Sequence, residues 1–247
     1  MTELIDLLAD PPADPDLSHG YLDLLGEQIQ AGPSTGSAQR LMRTRLVPAI
    51  YERYWRPAFG RLLKGPGGLT MAGERRFALD ALELAPGDVA LDVACGTGAF
   101  TREFGRAVGP DGLAIGLDAS RPMLERAVAA TPGPNVAYLR ADAVHPPLRD
   151  GVVDGVCCYA ALHMFADPAA ALASFARVLR AGGRLTLLTS ARHATQPLRA
   201  LDTIGGRLSG QRVFERDEIE RLLVGAGLDE VRIKVTGVAQ FVAARRP

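Results

Sequence analysis

The sequence has few cysteines and no excess of charge of either sign. Three of its 247 residues are cysteine, Cys95, Cys157 and Cys158, and an odd number with two adjacent argues against a disulfide framework or a zinc site. Lys and Arg together number 28, as do Asp and Glu, so the formal net charge is zero. A protein that binds nucleic acid irrespective of sequence needs clustered excess base. We therefore expect a reducing, cytoplasmic compartment, no metal and no nucleic-acid partner.

Long apolar runs are also missing. No stretch approaches 18 uninterrupted apolar residues, and the chain starts with the acidic sequence Met-Thr-Glu-Leu-Ile-Asp. Neither a membrane span nor a secretory signal is expected from these patterns. Apolar residues make up 47% of the chain and charged residues 23%, as in ordinary globular proteins. The length suits one α/β domain with elaborations or two small domains.

The first 85 residues differ in pattern from the rest. A Pro/Asp cluster occupies 11–15, a Gly/Ser/Thr linker occupies 31–37, and helical spacing of apolar residues runs over 38–63 and 69–84. We interpret residues 1–85 as a helical N-terminal cap and lid without a sheet of its own.

From residue 89 onward, short apolar runs alternate with helical patterns. The predicted strands are 89–94, 112–117, 136–139, 152–158, 184–189, 230–235 and 238–243. This alternation predicts a Rossmann-like, doubly wound α/β fold with a mostly parallel seven-stranded sheet and a C-terminal antiparallel hairpin. We assign residues 86–247 to this domain and 191–214 to an insertion that covers the substrate. In such sheets, ligands bind beyond the carboxyl ends of the strands.

Glycine and aspartate residues follow the first three predicted strands. Residues 91–98 read Leu-Asp-Val-Ala-Cys-Gly-Thr-Gly, which places Gly96 and Gly98 where the backbone can approach a ligand. Asp118 ends the second strand. Its distance along the chain from Gly98 is typical of a carboxylate that accepts hydrogen bonds from ribose hydroxyls. Asp142 follows the third strand, where it is placed to accept a hydrogen bond from an adenine amino group. Each feature taken singly also has a purely structural explanation. The glycines could serve a tight turn, Asp118 could cap a helix, and Asp142 could be a turn former.

Together and in this order, the motifs resemble those of class I S-adenosylmethionine-dependent methyltransferases. The resemblance is strongest to the group related to ubiquinone/menaquinone biosynthesis C-methyltransferases, and it covers residues 85–190 well and the first 85 poorly. The matching segments are 91–98, 116–125, 141–143, 161–163, 167–168 and 177–183. Ala94 and Ala181 depart from the family pattern, which often has glycine at the first position and proline at the second.

The resemblance implies S-adenosyl-L-methionine as the cofactor and a role for each matching residue. At the methionine end the implied residues are Asp92, which orders the turn, and Ala94, Gly96 and Gly98. Around the nucleoside the implied residues are Asp118 at the ribose, and Ala119, Met123, Asp142 and Ala143 at the adenine. Near the sulfonium and the substrate the implied residues are Tyr159, Ala160 and His163.

His163 is the candidate catalytic base because it follows the fourth strand, where the acceptor should meet the methyl group. A base is needed only when the acceptor is an oxygen, or a carbon that must lose a proton. His145 is a second choice, and a structural role is the alternative for either histidine. Residues 51–56, Tyr-Glu-Arg-Tyr-Trp-Arg, look like a lid helix, although ordinary amphipathic packing also explains them.

The sequence therefore predicts a methyltransferase acting on a small hydrophobic molecule such as a quinone, phenol, lipid or secondary metabolite, as a monomer or homodimer. One alternative is a cofactor-binding module or a non-methylating enzyme on the same fold. Another is a NAD-dependent oxidoreductase. Thr101 argues against the latter, because it stands where the dinucleotide fingerprint has its third glycine.

Overall fold

Strands β2 to β6 are buried along most of their length, as parallel strands covered on both faces should be. The computed structural model describes residues 1–26, 68–131, 133–195 and 211–247. Within these ranges the strands are β1 Leu22–Asp23, β2 Val89–Val93, β3 Leu113–Leu117, β4 Val136–Arg140, β5 Val153–Tyr159, β6 Leu179–Ser190, β7 Asp229–Thr236 and β8 Ala239–Arg245. The helices are α1 Thr2–Asp6, α2 Met71–Leu82, α3 Ala99–Val108, α4 Arg121–Ala129, α5 Pro168–Val178 and α6 Glu218–Gly225, with a 3-10 turn at Leu162–Met164.

The strands form one sheet in the order β1-β4-β3-β2-β5-β6-β8-β7. Strands β1 to β6 are all parallel, and β8 runs antiparallel between β6 and β7. From the central β2, the chain first builds outward through β3 and β4 and then returns to the other side with β5 and β6. This confirms the doubly wound α/β fold and the C-terminal hairpin. The reversal between β2 and β5 is where such sheets bind ligands.

Within the described residues the sheet has eight strands, so the predicted number of seven is too low. The additional strand is β1, in which Leu22 and Asp23 pair with Leu139 and Arg140 of β4. This strand belongs to the main sheet, so the described part of the N-terminal region forms no separate sheet, but the pairing itself was not predicted because two residues cannot show a strand periodicity. Leu4 and Leu8 of the same region are also buried in the main core, beside the sheet.

The predicted helix at 69–84 is confirmed as α2, which packs on β6 and α3. Its Thr70 side chain accepts a hydrogen bond from the Gly73 N–H at 3.2 Å, an ordinary N-cap. The linker at 31–37 and the lid segment 51–56 lie outside the described residues, and the domain boundary at residue 85 stays a prediction. No helix in the described ranges is both long and apolar enough to cross a bilayer.

Helix α5 ends within one residue of the end that the sequence predicts. The helical pattern covers 168–179, with the Gly182-Gly183 pair expected as its left-handed cap, and Leu179 already has an extended backbone with φ −65° and ψ 138°. Strand β6 begins there, because Leu179 pairs with Val153 of β5. Gly182 instead lies inside β6 with a left-handed φ of 78°.

Candidate active site at the carboxyl edge of the sheet

The turn between β2 and α3 enters the left-handed region of backbone space at three residues. The φ angles are 56° at Ala94, 57° at Gly96 and 73° at Gly98. The turn is held by the Cys95 N–H, which donates to the Leu117 carbonyl of β3 at 3.0 Å. A residue with a Cβ in this conformation costs roughly 1–2 kcal/mol. Ala94 is therefore strained, at a position where the resemblance stated above more often implies glycine.

The two glycines of this turn have different surroundings. A Cβ on Gly98 would overlap the hydroxyl of Tyr138 and lie 2.9 Å from its Cζ. A Cβ on Gly96 would meet no atom within 4 Å. Gly98 is thus required by the packing of a buried tyrosine, whereas the space beside Gly96 is open. Of the two positions, Gly96 is the one that fits the predicted close approach to a ligand.

Asp92 ties strand β2 to helix α3 across the turn. Its Oδ2 accepts a hydrogen bond from the Thr101 hydroxyl at 2.6 Å, and both side chains are buried. The Arg102 guanidinium also donates to the Thr97 carbonyl at 2.7 Å. Thr101, which occupies the place of a dinucleotide glycine, is therefore part of the internal support of this turn.

Asp118 joins the loops that follow β2 and β3. Its Oδ2 accepts from the Gly96 N–H and its Oδ1 from the Ser120 N–H, both at 2.9 Å. Burial raises the pKa of this carboxyl, while its backbone N–H donors act in the opposite direction. The Ser120 hydroxyl is buried and has no hydrogen-bond partner. An unsatisfied buried polar group is costly, so this hydroxyl favours a ligand with polar groups.

The remaining residues expected around adenine line the same edge of the sheet. Met123 is buried on α4, and the Ala119 carbonyl accepts from Arg140 Nε at 3.1 Å. Asp142 is exposed; its Oδ1 accepts from the Val144 N–H at 2.9 Å and its Oδ2 lies 3.1 Å from His145 Nδ1. Ala143 beside it is partly buried. The pairing of Asp142 with His145 is absent from the sequence predictions, although their i,i+3 spacing was a signal for it.

Strand β5 ends on a second strained alanine. Ala160 has a φ of 58°, and its N–H donates to the Leu188 carbonyl at 2.7 Å. Together with Ala94, it places a left-handed alanine at the carboxyl end of each of the two central strands. Backbone strain of this kind clusters at functional sites.

The Tyr159 side chain points away from this edge. Its hydroxyl lies 3.2 Å from Thr186 Oγ1, and its ring contacts those of Phe100 and Phe241 in the core. Burial raises the pKa of this phenol strongly. The Tyr159 side chain thus lies in the core, and a role of its backbone near the sulfonium stays a prediction.

His163 lies in the 3-10 turn after β5. Its carbonyl accepts from the Arg212 N–H at 2.8 Å, so the turn is tied to the end of the predicted insertion at 191–214. Residues 196–210 of that insertion are outside the described ranges. Burial lowers the pKa of the imidazole to about 4, and its Nδ1 is buried without a hydrogen-bond partner. The ring is therefore neutral at neutral pH, with one nitrogen left for a ligand.

A doubly wound sheet with a glycine-containing turn and a buried carboxylate at the switch in strand order is typical of enzymes that bind a nucleotide-derived cofactor there. The chain belongs to the class I S-adenosylmethionine-dependent methyltransferases, in the group related to the ubiquinone/menaquinone biosynthesis C-methyltransferases. Residues 91–187 match the family described as a methyltransferase domain. The demethylmenaquinone methyltransferase of Lactobacillus johnsonii is 30% identical over 181 residues, which are 72% of this chain and 71% of that protein.

Other relatives extend the similarity over more of the chain. An uncharacterized chloroplastic methyltransferase of Arabidopsis thaliana is 32% identical over 241 residues, or 92% of this chain. The chain spans 66% of the length of that relative and 51% of a ubiquinone/menaquinone biosynthesis C-methyltransferase of Saccharophagus degradans. S-adenosylmethionine is the methyl donor of the family.

Solved structures at low identity share the fold. A phosphoethanolamine N-methyltransferase 2 of Haemonchus contortus superposes with a TM-score of 0.69 at 16% identity, covering 87% of this chain and 61% of the other. A geranyl diphosphate C-methyltransferase of Streptomyces coelicolor gives 0.61 at 18% identity, covering 76% of this chain and 88% of the other.

Proposed function

We propose that this protein transfers the methyl group of S-adenosylmethionine to a small molecule at the carboxyl edge of β2 and β5. The observation that carries the proposal is the Asp118 carboxylate, bonded to the Gly96 N–H beside an open space. The family membership and the strained alanines at the ends of both central strands support it.

The residues at this edge fit a nucleoside cofactor. Each oxygen of Asp118 accepts one backbone N–H and retains acceptor capacity for a ribose hydroxyl. The unpartnered Ser120 hydroxyl offers a further polar contact, and Met123 offers apolar surface. Asp142 and Ala143 lie at the end of β4, where we place the adenine edge. When bound, the cofactor supplies a methyl group on a positively charged sulfur.

The chain's contribution to the transfer is mainly positional. Well-oriented reactants reach effective molarities of roughly 10⁵ to 10⁸ M, so a fixed acceptor needs little further assistance. His163 carries an unpartnered Nδ1 and is neutral at neutral pH because burial lowers its pKa to about 4. We assign it to orienting the acceptor through a hydrogen bond, and to accepting a proton where the acceptor atom must lose one.

For the acceptor we propose a quinone, phenol, lipid or other small hydrophobic metabolite. The Lactobacillus relative is named for demethylmenaquinone, which is a quinone, and the Streptomyces neighbour was crystallised with geranyl diphosphate. The three free thiols fit a reducing compartment such as the cytoplasm. The test is transfer of radiolabelled methyl groups to quinone, phenolic, lipid and polar metabolite pools. Transfer only to protein or RNA contradicts the small-molecule proposal, and cofactor binding without any transfer favours a binding module.

Asp118→Ala is expected to weaken S-adenosylhomocysteine binding by about 1–3 kcal/mol, because hydrogen bonds to a charged acceptor are lost. Isothermal titration calorimetry measures this change. Asp111→Ala is the matched control, since Asp111 is exposed and precedes β3 at the opposite edge of the sheet. Equal affinity in a folded Asp118→Ala variant would remove Asp118 from the ribose site.

A further inference from the structure

Strand β1 carries a buried carboxylate behind the loop that follows β3. We call residues 118–121 the nucleoside loop. The Asp23 side chain is only 1% exposed, and its charge is balanced by two arginines. Arg140 Nη1 lies 3.0 Å from each carboxylate oxygen of Asp23, and Arg121 Nη2 lies 3.1 Å from Asp23 Oδ2. Asp23 Oδ1 also accepts the N–H groups of Leu25 and Gly26, at 2.9 and 3.0 Å.

Both arginines act on the nucleoside loop. Arg140 donates from Nε to the Ala119 carbonyl at 3.1 Å, while its Nη1 also reaches the Gly26 carbonyl at 2.8 Å. Arg121 is the first residue of α4 and directly follows Ser120. Asp23 is therefore connected to the middle of the loop through one guanidinium and to its end through the other.

This arrangement determines where the Asp118 carboxylate and the Ser120 hydroxyl stand. Arg140 is 9% exposed, so removal of Asp23 would leave a buried guanidinium without its counter-charge. Arg140 would then shift or draw in water, and the Ala119 carbonyl would lose the donor that fixes it. Ala119 lies directly between Asp118 and Ser120. The Asp118 carboxylate, together with the Ser120 N–H that it accepts, forms the position where we place the ribose.

We propose that Asp23, acting through Arg140 and Arg121, is a positioning residue for the nucleoside half of the cofactor site. The N-terminal 26 residues thereby set the affinity of the protein for the adenosine part of its cofactor. This inference rests on the proposed function, because it takes the nucleoside loop as the place where adenosine binds. Thermodynamic linkage requires the reverse effect as well, so bound cofactor stabilises β1.

The experiment compares two ligands on Asp23→Asn. S-adenosylhomocysteine and 5′-methylthioadenosine share the adenosine part, and only the first has the amino-acid part. We expect both affinities to fall by the same factor, about tenfold, within the range typical of coupled sites. Asp154→Asn is the matched control: Asp154 is 10% exposed, pairs with Arg180 at 2.5 Å and accepts the Val89 N–H at 2.7 Å, at the amino edge of the sheet. Its variant should lose thermal stability and keep both affinities.

A second readout follows β1 itself. Hydrogen exchange at residues 22–26 should slow when S-adenosylhomocysteine binds the wild-type protein, and this protection should be lost in Asp23→Asn. Arg121→Gln changes a guanidinium whose side chain is 32% exposed, so it serves as the variant that folds if Asp23→Asn does not. It should weaken both ligands in the same proportion, by a smaller factor.

The outcomes separate the two proposals. Wild-type protein that binds neither ligand contradicts the proposed function. Wild-type protein that binds both, with unchanged affinities in Asp23→Asn and Arg121→Gln, overturns only the role of Asp23. Loss confined to S-adenosylhomocysteine also overturns it, because the change would then act on the amino-acid end of the cofactor.

Discussion

Gly98→Ala is expected to lower the free energy of unfolding by about 3 kcal/mol or more. The added Cβ forces a φ of 73° on a residue that disfavours it, at roughly 1–2 kcal/mol. It also overlaps the Tyr138 hydroxyl, and overpacking of this kind typically costs about 1–3 kcal/mol. Tyr138 is 2% exposed and its hydroxyl lies 2.8 Å from Thr131 Oγ1, so it cannot move away without losing that contact. Urea unfolding followed by circular dichroism measures the change.

Gly96→Ala is the matched control for this prediction. Its φ of 57° carries a similar backbone cost of about 1–2 kcal/mol, but its Cβ enters open space and meets no side chain. Gly96→Ala should therefore be clearly more stable than Gly98→Ala, and its main effect should be a loss of cofactor affinity. Tyr138→Phe in the Gly98→Ala background should recover part of the loss by removing the overlapping hydroxyl. Equal destabilisation by the two glycine substitutions would contradict this division of roles.

The second large effect is a loss of folding stability at acidic pH. His163 is expected to contribute about 3 kcal/mol to the pH dependence of stability, because its pKa is about 4 when folded and near 6.5 when unfolded. Between these values the unfolded chain binds the proton and the folded protein does not. The free energy of unfolding is therefore not reduced by this histidine above pH 6.5, and it falls by about 3 kcal/mol as the pH drops toward 4.

Unfolding by urea at pH values between 4 and 7 tests this expectation. His163→Gln should remove most of the loss between pH 6.5 and 4, and His145→Gln, a substitution at an exposed ring, should leave it in place. An unchanged slope in His163→Gln would exclude a buried, neutral imidazole. The same pKa predicts that kcat/KM shows no inflection due to His163 near pH 6.5.

The sequence predicts well those elements whose signal lies within one short stretch of the chain. Strands β2 to β5, the second half of β6 and β8 are mainly apolar runs, and β7 alternates apolar with polar residues, so each pattern is visible without the neighbouring strands. Asp92, Gly96 and Asp118 were likewise recognisable, since each lies at a strand end within one strand-loop-helix unit. Strand β1 was missed because its two residues depend on Arg140, which is remote in the chain.

The individual roles of the site residues were harder to predict. Gly98 and Gly96 look alike in sequence, and only the position of Tyr138 on β4 separates a packing requirement from an open approach. The same is true of Tyr159, whose hydroxyl turns toward Thr186 on the neighbouring strand. The low pKa of His163 arises from burial in the folded chain, which no local pattern reveals.

Strand β8 lies between β6 and β7 although it comes after every other described strand in the chain. During synthesis, β6 therefore presents a free edge of N–H and carbonyl groups until β8 leaves the ribosome. Leu185 and Leu187, fully buried in the finished sheet, belong to that edge strand. Unpaired apolar edges are templates for pairing with other chains. We therefore expect closure of the β7–β8 hairpin on β6 to be the step that protects this edge from pairing with other chains.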